Sequence, residues 1–168
     1  APLYVLLAKV FSFLAANDVS RVAFYVNMLS AVSSGAAVMF LYWTSSYFLK
    51  QMFSKLNKDF KFTNFVVLAS AVVGASVFAV SDSFWYSAVE SEVYALSSFF
   101  SSLLFWCITK WHRCEVLPER WLLLIVFLLG VSFAVHNLSL LVIPAIVLFY
   151  CCKKYAHWNT MYKLLFSL

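Results

Sequence analysis

At 168 residues, with 64% hydrophobic, 20% aromatic and only 11% charged side chains and a mean hydropathy of +0.89, the chain lies far outside the soluble globular range and reads as an integral membrane protein. Three Gly, three Pro and no low-complexity tract exclude a flexible linker or a second soluble domain, so a single all-α transmembrane unit over residues 1–168 is expected. The net charge of +5 does not indicate nucleic acid, because the basic residues fall in short clusters between apolar runs rather than on one soluble face.

Leu3 to Ala16 is too short to cross a bilayer, which takes about 20 apolar residues. Lys9 and Ser12 oppose Leu6, Val10, Phe13 and Leu14 at helical spacing, which suits an interfacial helix; the tail of a truncated span is the other reading. Asp18 is placed to cap the next helix. Val22 to Leu49 is a long span whose small residues, Ser30, Ser33, Ser34, Gly35, Ala36 and Ala37, suit helix packing. Lys50, Lys55, Lys58 and Lys61, with Asp59 the only acid among them, mark a cytoplasmic loop.

Phe62 to Val80 returns across the membrane, with Ser70 and Gly74 as a small-xxx-small pair for packing. The stretch from Asp82 to Glu92 then gathers three carboxylates with Trp85 and Tyr86 on the extracytoplasmic side, and Val93 to Trp111 leads back to Lys110, Arg113 and Arg120. Trp121 to Tyr150 is 30 residues interrupted by His136-Asn137, short for two full spans of about 20 each, so two short helices or a recessed turn are expected. Lys153, Lys154, His157 and Lys163 close a third cytoplasmic patch, and a truncated last helix begins near Leu164. This gives about five spanning segments. Ten of the twelve Lys and Arg fall in the three cytoplasmic patches, while four of the seven acids lie outside them. Cys107, Cys114, Cys151 and Cys152 fall on the cytoplasmic half, where reduced thiols are expected; a zinc site from His112, Cys114, Cys151 and His157 lacks paired Cys-x-x-Cys spacing.

Ionisable groups near a bilayer default to function, which singles out the acidic stretch. If residues 86–97 form one helix, Tyr86, Glu90, Tyr94 and Ser97 share a stripe, and Glu90 and Glu92 lie ~200° apart, so only one faces a common ligand while the other caps the helix. His136 has two readings: a metal ligand or donor to an anionic group held across a cavity from an acid, or a turn residue satisfied by backbone. Arg21 reads as a phosphate contact or an interfacial anchor, and Asp82 as a helix cap or a wetted loop residue.

Trp85-Tyr86-Ser87-Ala88-Val89-Glu90-Ser91-Glu92-Val93-Tyr94, the hairpin GVSFAVHNLSLLVIPA from Gly130 to Ala145, Asn27-Met28-Leu29-Ser30 and the opening Ala1-Pro2-Leu3-Tyr4 together resemble a bacterial multi-spanning family. That family is related to the vertebrate transmembrane O-mannosyltransferase of plexin-type receptors, within the GT-C glycosyltransferases. The resemblance implies a GT-C-like bundle in the bacterial inner membrane, with the acidic loop 82–92 extracytoplasmic. It implies transfer of a sugar, mannose being the expected one, from a polyprenyl-phosphate carrier to Ser or Thr of an extracytoplasmic protein. It also implies that the catalytic base sits in a loop preceding Ala1, so that 1–168 is a fragment lacking the first spanning helix, the first extracytoplasmic loop and the C-terminal region. Glu92, Glu90, His136, Asn137, Tyr94, Trp85 and Arg21 are then the candidate substrate-binding residues, with Glu92 and His136 the candidate holders of a divalent metal. A transporter or flippase core binding a polar substrate at the His136 turn is the competing class, with no inverted repeat to support it.

Overall fold

The computed structural model describes residues 1–16, 18–56 and 60–154, and every regular element among them is helical. The helices are α1 (Pro2–Ser12), α2 (Val22–Leu56), α3 (Phe60–Ala79), α4 (Asp82–Val89), α5 (Val93–Arg113), α6 (Glu119–Phe133) and α7 (Ile143–Lys154). Short 3-10 turns cover Phe13–Ala15, Val19–Arg21 and Asn137–Val142. Lys58, Asp59, His157, Lys163 and the run from Leu164 lie outside the described residues.

Val19–Phe53, Val93–Arg113 and Asn137–Lys154 are each long and apolar enough to cross a membrane, and α3 with α4 makes a fourth if the pair, bent by 64°, is one span. The apolar surface matches the solvent these helices were built for. Phe65, Leu123, Val126 and Phe127 all point outward, an arrangement that water would penalise and lipid tails accept.

α2 and α5 form the spine of the bundle. Their partners keep a nearly constant offset along both helices: Asn27 with Ser91, Phe40 with Trp106, Tyr47 with His112, so the two run parallel. Close approach comes from the small-residue stripe, since Ser30, Ser33, Ser34 and Ala37 are all buried. At the α5 end, Leu104, Cys107, Ile108 and Trp111 pack with Ile125 of α6 and Val142 beside α7.

One local expectation needs correcting. Ser70 and Gly74 face outward, and α3 packs instead through Val67, Ala71 and Ala75, one position further along the same small-residue spacing. In α1 the residues Leu6, Val10, Phe13 and Leu14 are the exposed ones, while Leu3, Tyr4 and Leu7 pack against Leu96, Phe100 and Val135. With apolar side chains on both faces, α1 has one side for the bundle and one for lipid.

Candidate functional site

The acidic stretch is not one helix. α4 ends at Val89, Glu90 turns to extended backbone (φ −96°, ψ 141°), and Glu92 is the N-cap residue of α5 (φ −124°, ψ 165°). The helix dipole disfavours the Glu90 carboxylate at the C-terminal end of α4, the Ser91 hydroxyl competes for backbone groups, and the Glu92 carboxylate is stabilised at the start of α5 by the dipole. The expected stripe of Tyr86, Glu90, Tyr94 and Ser97 is therefore broken at Glu90. The expected division of labour holds in part: Glu92 occupies the capping position, although its side chain makes no capping hydrogen bond.

The Glu90–Glu92 turn is pinned to α2 by one side chain. The Asn27 amide donates to the Val89 carbonyl, and its oxygen accepts from the Ser91 hydroxyl at 2.9 Å. A side-chain amide in the apolar first half of α2 is the signal that marks Asn27. Sequence reasoning placed it in a family-like stretch without giving it this role.

Two further elements converge on the same end. The Leu3 amide donates to the Ala134 carbonyl at 3.2 Å, tying the start of α1 to the break after α6. Past that break, the His136 ring lies 5.6 Å from the Tyr94 ring, centroid to centroid, while Val135 packs on Leu96 and Phe100. The His-Asn turn thus sits at the level of the first two turns of α5, as the short 121–150 segment leads one to expect. His136 Nδ1 accepts from the Leu138 amide at 3.1 Å. An accepting Nδ1 leaves the proton on Nε2, so the ring offers a hydrogen-bond donor outward rather than a metal-ligating lone pair. The chemistry of this turn suits an anion better than a metal. Among the described residues, no three His, Cys, Asp or Glu gather closely enough to hold a metal ion.

Tyr4, like Asn27, stood in a family-like stretch of the sequence without a role. Burial pushes its hydroxyl above the ordinary tyrosine range, the neighbouring Ser30 hydroxyl works against this, and the Glu92 carboxylate adds to it. Both the Tyr4 and Ser30 hydroxyls are buried without a hydrogen bond of good geometry among the described residues. The phenol stays protonated and is a potential donor toward the carboxylate side of the site.

The structure therefore sets Tyr94 against His136, with Glu92 two positions before Tyr94 and within electrostatic reach of Tyr4, Glu90 and the exposed Asn137 at the same end, and Asn27 and Ser30 on the α2 side. It leaves two candidates apart. Trp85 is 59% exposed on α4, as an interfacial ring would be. Arg21 pairs with Asp18 at 2.9 Å beside the capped turn, about 9 Å of helical rise beyond Asn27. Asp18 accepts from the Ser20 amide, which is the capping role expected of it.

A second feature lies beside the site. A cleft of about 430 Å³ is lined mainly by apolar groups, including Ala37, Leu41, Phe78, Phe105 and Leu138, and so reaches the 3-10 turn that His136 begins.

On comparison with known proteins, the family model described as "Protein O-mannosyl-transferase TMEM260 N-terminal domain" matches residues 1–159. No curated protein and no solved structure matches the chain.

Proposed function

This chain belongs to the family of protein O-mannosyl-transferase TMEM260 N-terminal domains, and from that premise we propose that it forms the carrier-binding part of a GT-C-type membrane glycosyltransferase. The reaction is transfer of mannose from a polyprenyl phosphate to a Ser or Thr hydroxyl of a protein on the extracytoplasmic side. We read five crossings: α2, α3 with α4, α5, α6, and the 137–142 turn with α7.

The observation that carries this reading is the convergence of Glu92, Tyr94 and His136 at one end of the bundle, next to an apolar cleft. Glycosyl transfer from a lipid phosphate asks for three things: a carboxylate to orient sugar or acceptor hydroxyls, donors for the charge left on the departing phosphate, and an apolar groove for the carrier. Glu92 supplies the first. His136 Nε2–H and the N-terminal end of α5 supply the second, the latter through its dipole. The cleft reaching Leu138 supplies the third.

The test is transfer from radiolabelled polyprenyl-phosphate mannose by the full-length protein in detergent, with membrane protein as acceptor. Glu92→Gln is expected to abolish transfer at unchanged expression. Near-normal transfer by that variant would remove Glu92 from the site.

A further inference from the structure

A hydroxyl on an α-helix has an acceptor at hand, the carbonyl three or four residues back, and several serines of this bundle use it. Ser33 donates to the Leu29 carbonyl at 2.7 Å, Ser102 to that of Ser98 at 2.8 Å and Ser132 to that of Leu129 at 2.8 Å. Ser30 and Ser34 of α2 and Ser97 of α5 do not. They are only 1%, 4% and 0% exposed, and their hydroxyls meet no hydrogen-bond partner among the described residues. A buried hydroxyl left dry costs stability, which is why such groups in folded proteins are met by other protein groups or by ordered water.

The three stand at one level. Ser30 and Ser34 are one helical turn apart on α2. Facing residues of the parallel α2 and α5 are offset by 64 positions at Asn27 and Ser91 and by 65 at Tyr47 and His112, which sets Ser97 beside positions 32 and 33, between the two serines. The fourth group comes from another helix. Tyr4 of α1 packs with Leu96 and Phe100, on either side of Ser97, and its hydroxyl neighbours that of Ser30 and is likewise buried and unpartnered. The Glu92 carboxylate acts on the same Tyr4 hydroxyl, so the cluster lies behind the Glu90–Glu92 turn.

The chemistry of the four groups selects what meets them. A cation would take their lone pairs and leave their protons unmet, and an anion would face the charge of Glu92. A small neutral molecule that both donates and accepts suits all four. We propose that Tyr4, Ser30, Ser34 and Ser97 hold internal water between α1, α2 and α5, behind Glu92. A held water takes roughly two to four polar partners, which hydroxyls from three helices at one level supply. It joins α1 to the α2–α5 spine through polar contacts, beside the apolar ones of Leu3 and Leu7. The site does not depend on the glycosyl-transfer reading.

The experiment is hydroxyl-radical footprinting of the full-length protein in detergent by X-ray radiolysis, read by mass spectrometry, since radicals formed from a held water oxidise the side chain beside it. Tyr4 is expected to be oxidised in the wild type. Ser30→Ala with Ser97→Ala is expected to lose most of that label, while the exposed Tyr86 keeps its own. The melting temperature gives a second reading. Where water meets the hydroxyl, Ser97→Ala strips a hydrogen bond and leaves the water short of a partner, so the variant is expected to melt a few degrees lower. Should the double variant fail to fold, Tyr4→Phe keeps the ring, removes the hydroxyl and is expected to show the same drop. Three results would each overturn the proposal. One is a wild type without label at Tyr4. Another is a label unchanged in the folded double variant, as radicals from bulk solvent would give. The third is a Ser97→Ala protein that melts at or above the wild type, as removal of a dry hydroxyl would give.

Discussion

His136 shows how one hydrogen bond decides between two chemistries. Its Nδ1 accepts from the Leu138 amide, so the ring is locked as a turn residue and a donor at once. Replacement by Asn keeps a short side chain whose oxygen accepts from the same amide, as Asn does at turns, while its NH2 donor stops short of the position that Nε2–H occupies. The expected outcome is an unchanged melting temperature with transfer reduced about a hundredfold, the usual loss for one donor to developing charge. A variant that transfers normally would confine His136 to its structural role. Asn27 behaves differently, since its amide bonds backbone and hydroxyl of the turn from the α2 side. Asn27→Ala removes both bonds to Val89 and Ser91 and is expected to cost about 1–2 kcal/mol. Faster amide exchange confined to residues 89–93 would report it, and exchange at the wild-type rate there would show that Asn27 is no clamp.

At the scale of the element, α3 makes a sharp comparison possible. Thr63, Val67, Ala71 and Ala75 repeat every fourth residue on its buried face, whereas Ser70 and Gly74 lie on the exposed one. Adding Leu at Ala71 overpacks the contact with α2 and is expected to cost about 1–3 kcal/mol, while Leu at Gly74 meets open space. Thermal unfolding in detergent separates them, and equal melting of the two variants would contradict this packing. The same helix shows what could be read from sequence. Hydropathy gave its ends to within two residues, because lipid selects length and apolarity and both are local properties. Its rotation was not legible, since an apolar helix in lipid has no wet face to mark the inner one, and two small-residue pairs one position apart look alike. The acidic stretch failed for another reason: helical periodicity ran through Glu90, and only the cap geometry of Glu92 and the Asn27 bonds reveal the break. Glu92 and His136 stood out as rare ionisable groups in apolar surroundings. Tyr4 did not, because a Tyr in an apolar helix carries no signal until α5 brings Glu92 to it.

For the whole molecule, the length of α2 sets the frame. Its 35 residues extend for about 52 Å, against a hydrocarbon core of about 30 Å. The Asn27 clamp and Lys50 are about 34 Å apart along it, close to that thickness, so the proposed frame sets the Glu90–Glu92 turn and the Lys50 end at opposite membrane boundaries. The two ends also differ in charge. Lys50, Lys110, Arg113, Lys153 and Lys154 crowd one, with Glu115 and Glu119 beside them, and Glu90 and Glu92 lie at the other, the difference on which the proposed orientation rests. Labelling of intact cells with a membrane-impermeant maleimide tests this frame. A cysteine introduced as Glu90→Cys is expected to react from outside, because its position is exposed and its carboxylate makes no bond that holds the fold. Cys114, beside the basic end, is expected to react only after the membrane is opened. Labelling of both from one side would mean that α5 does not cross, and the Glu90–Glu92 turn and the basic end would then share one face of the bilayer.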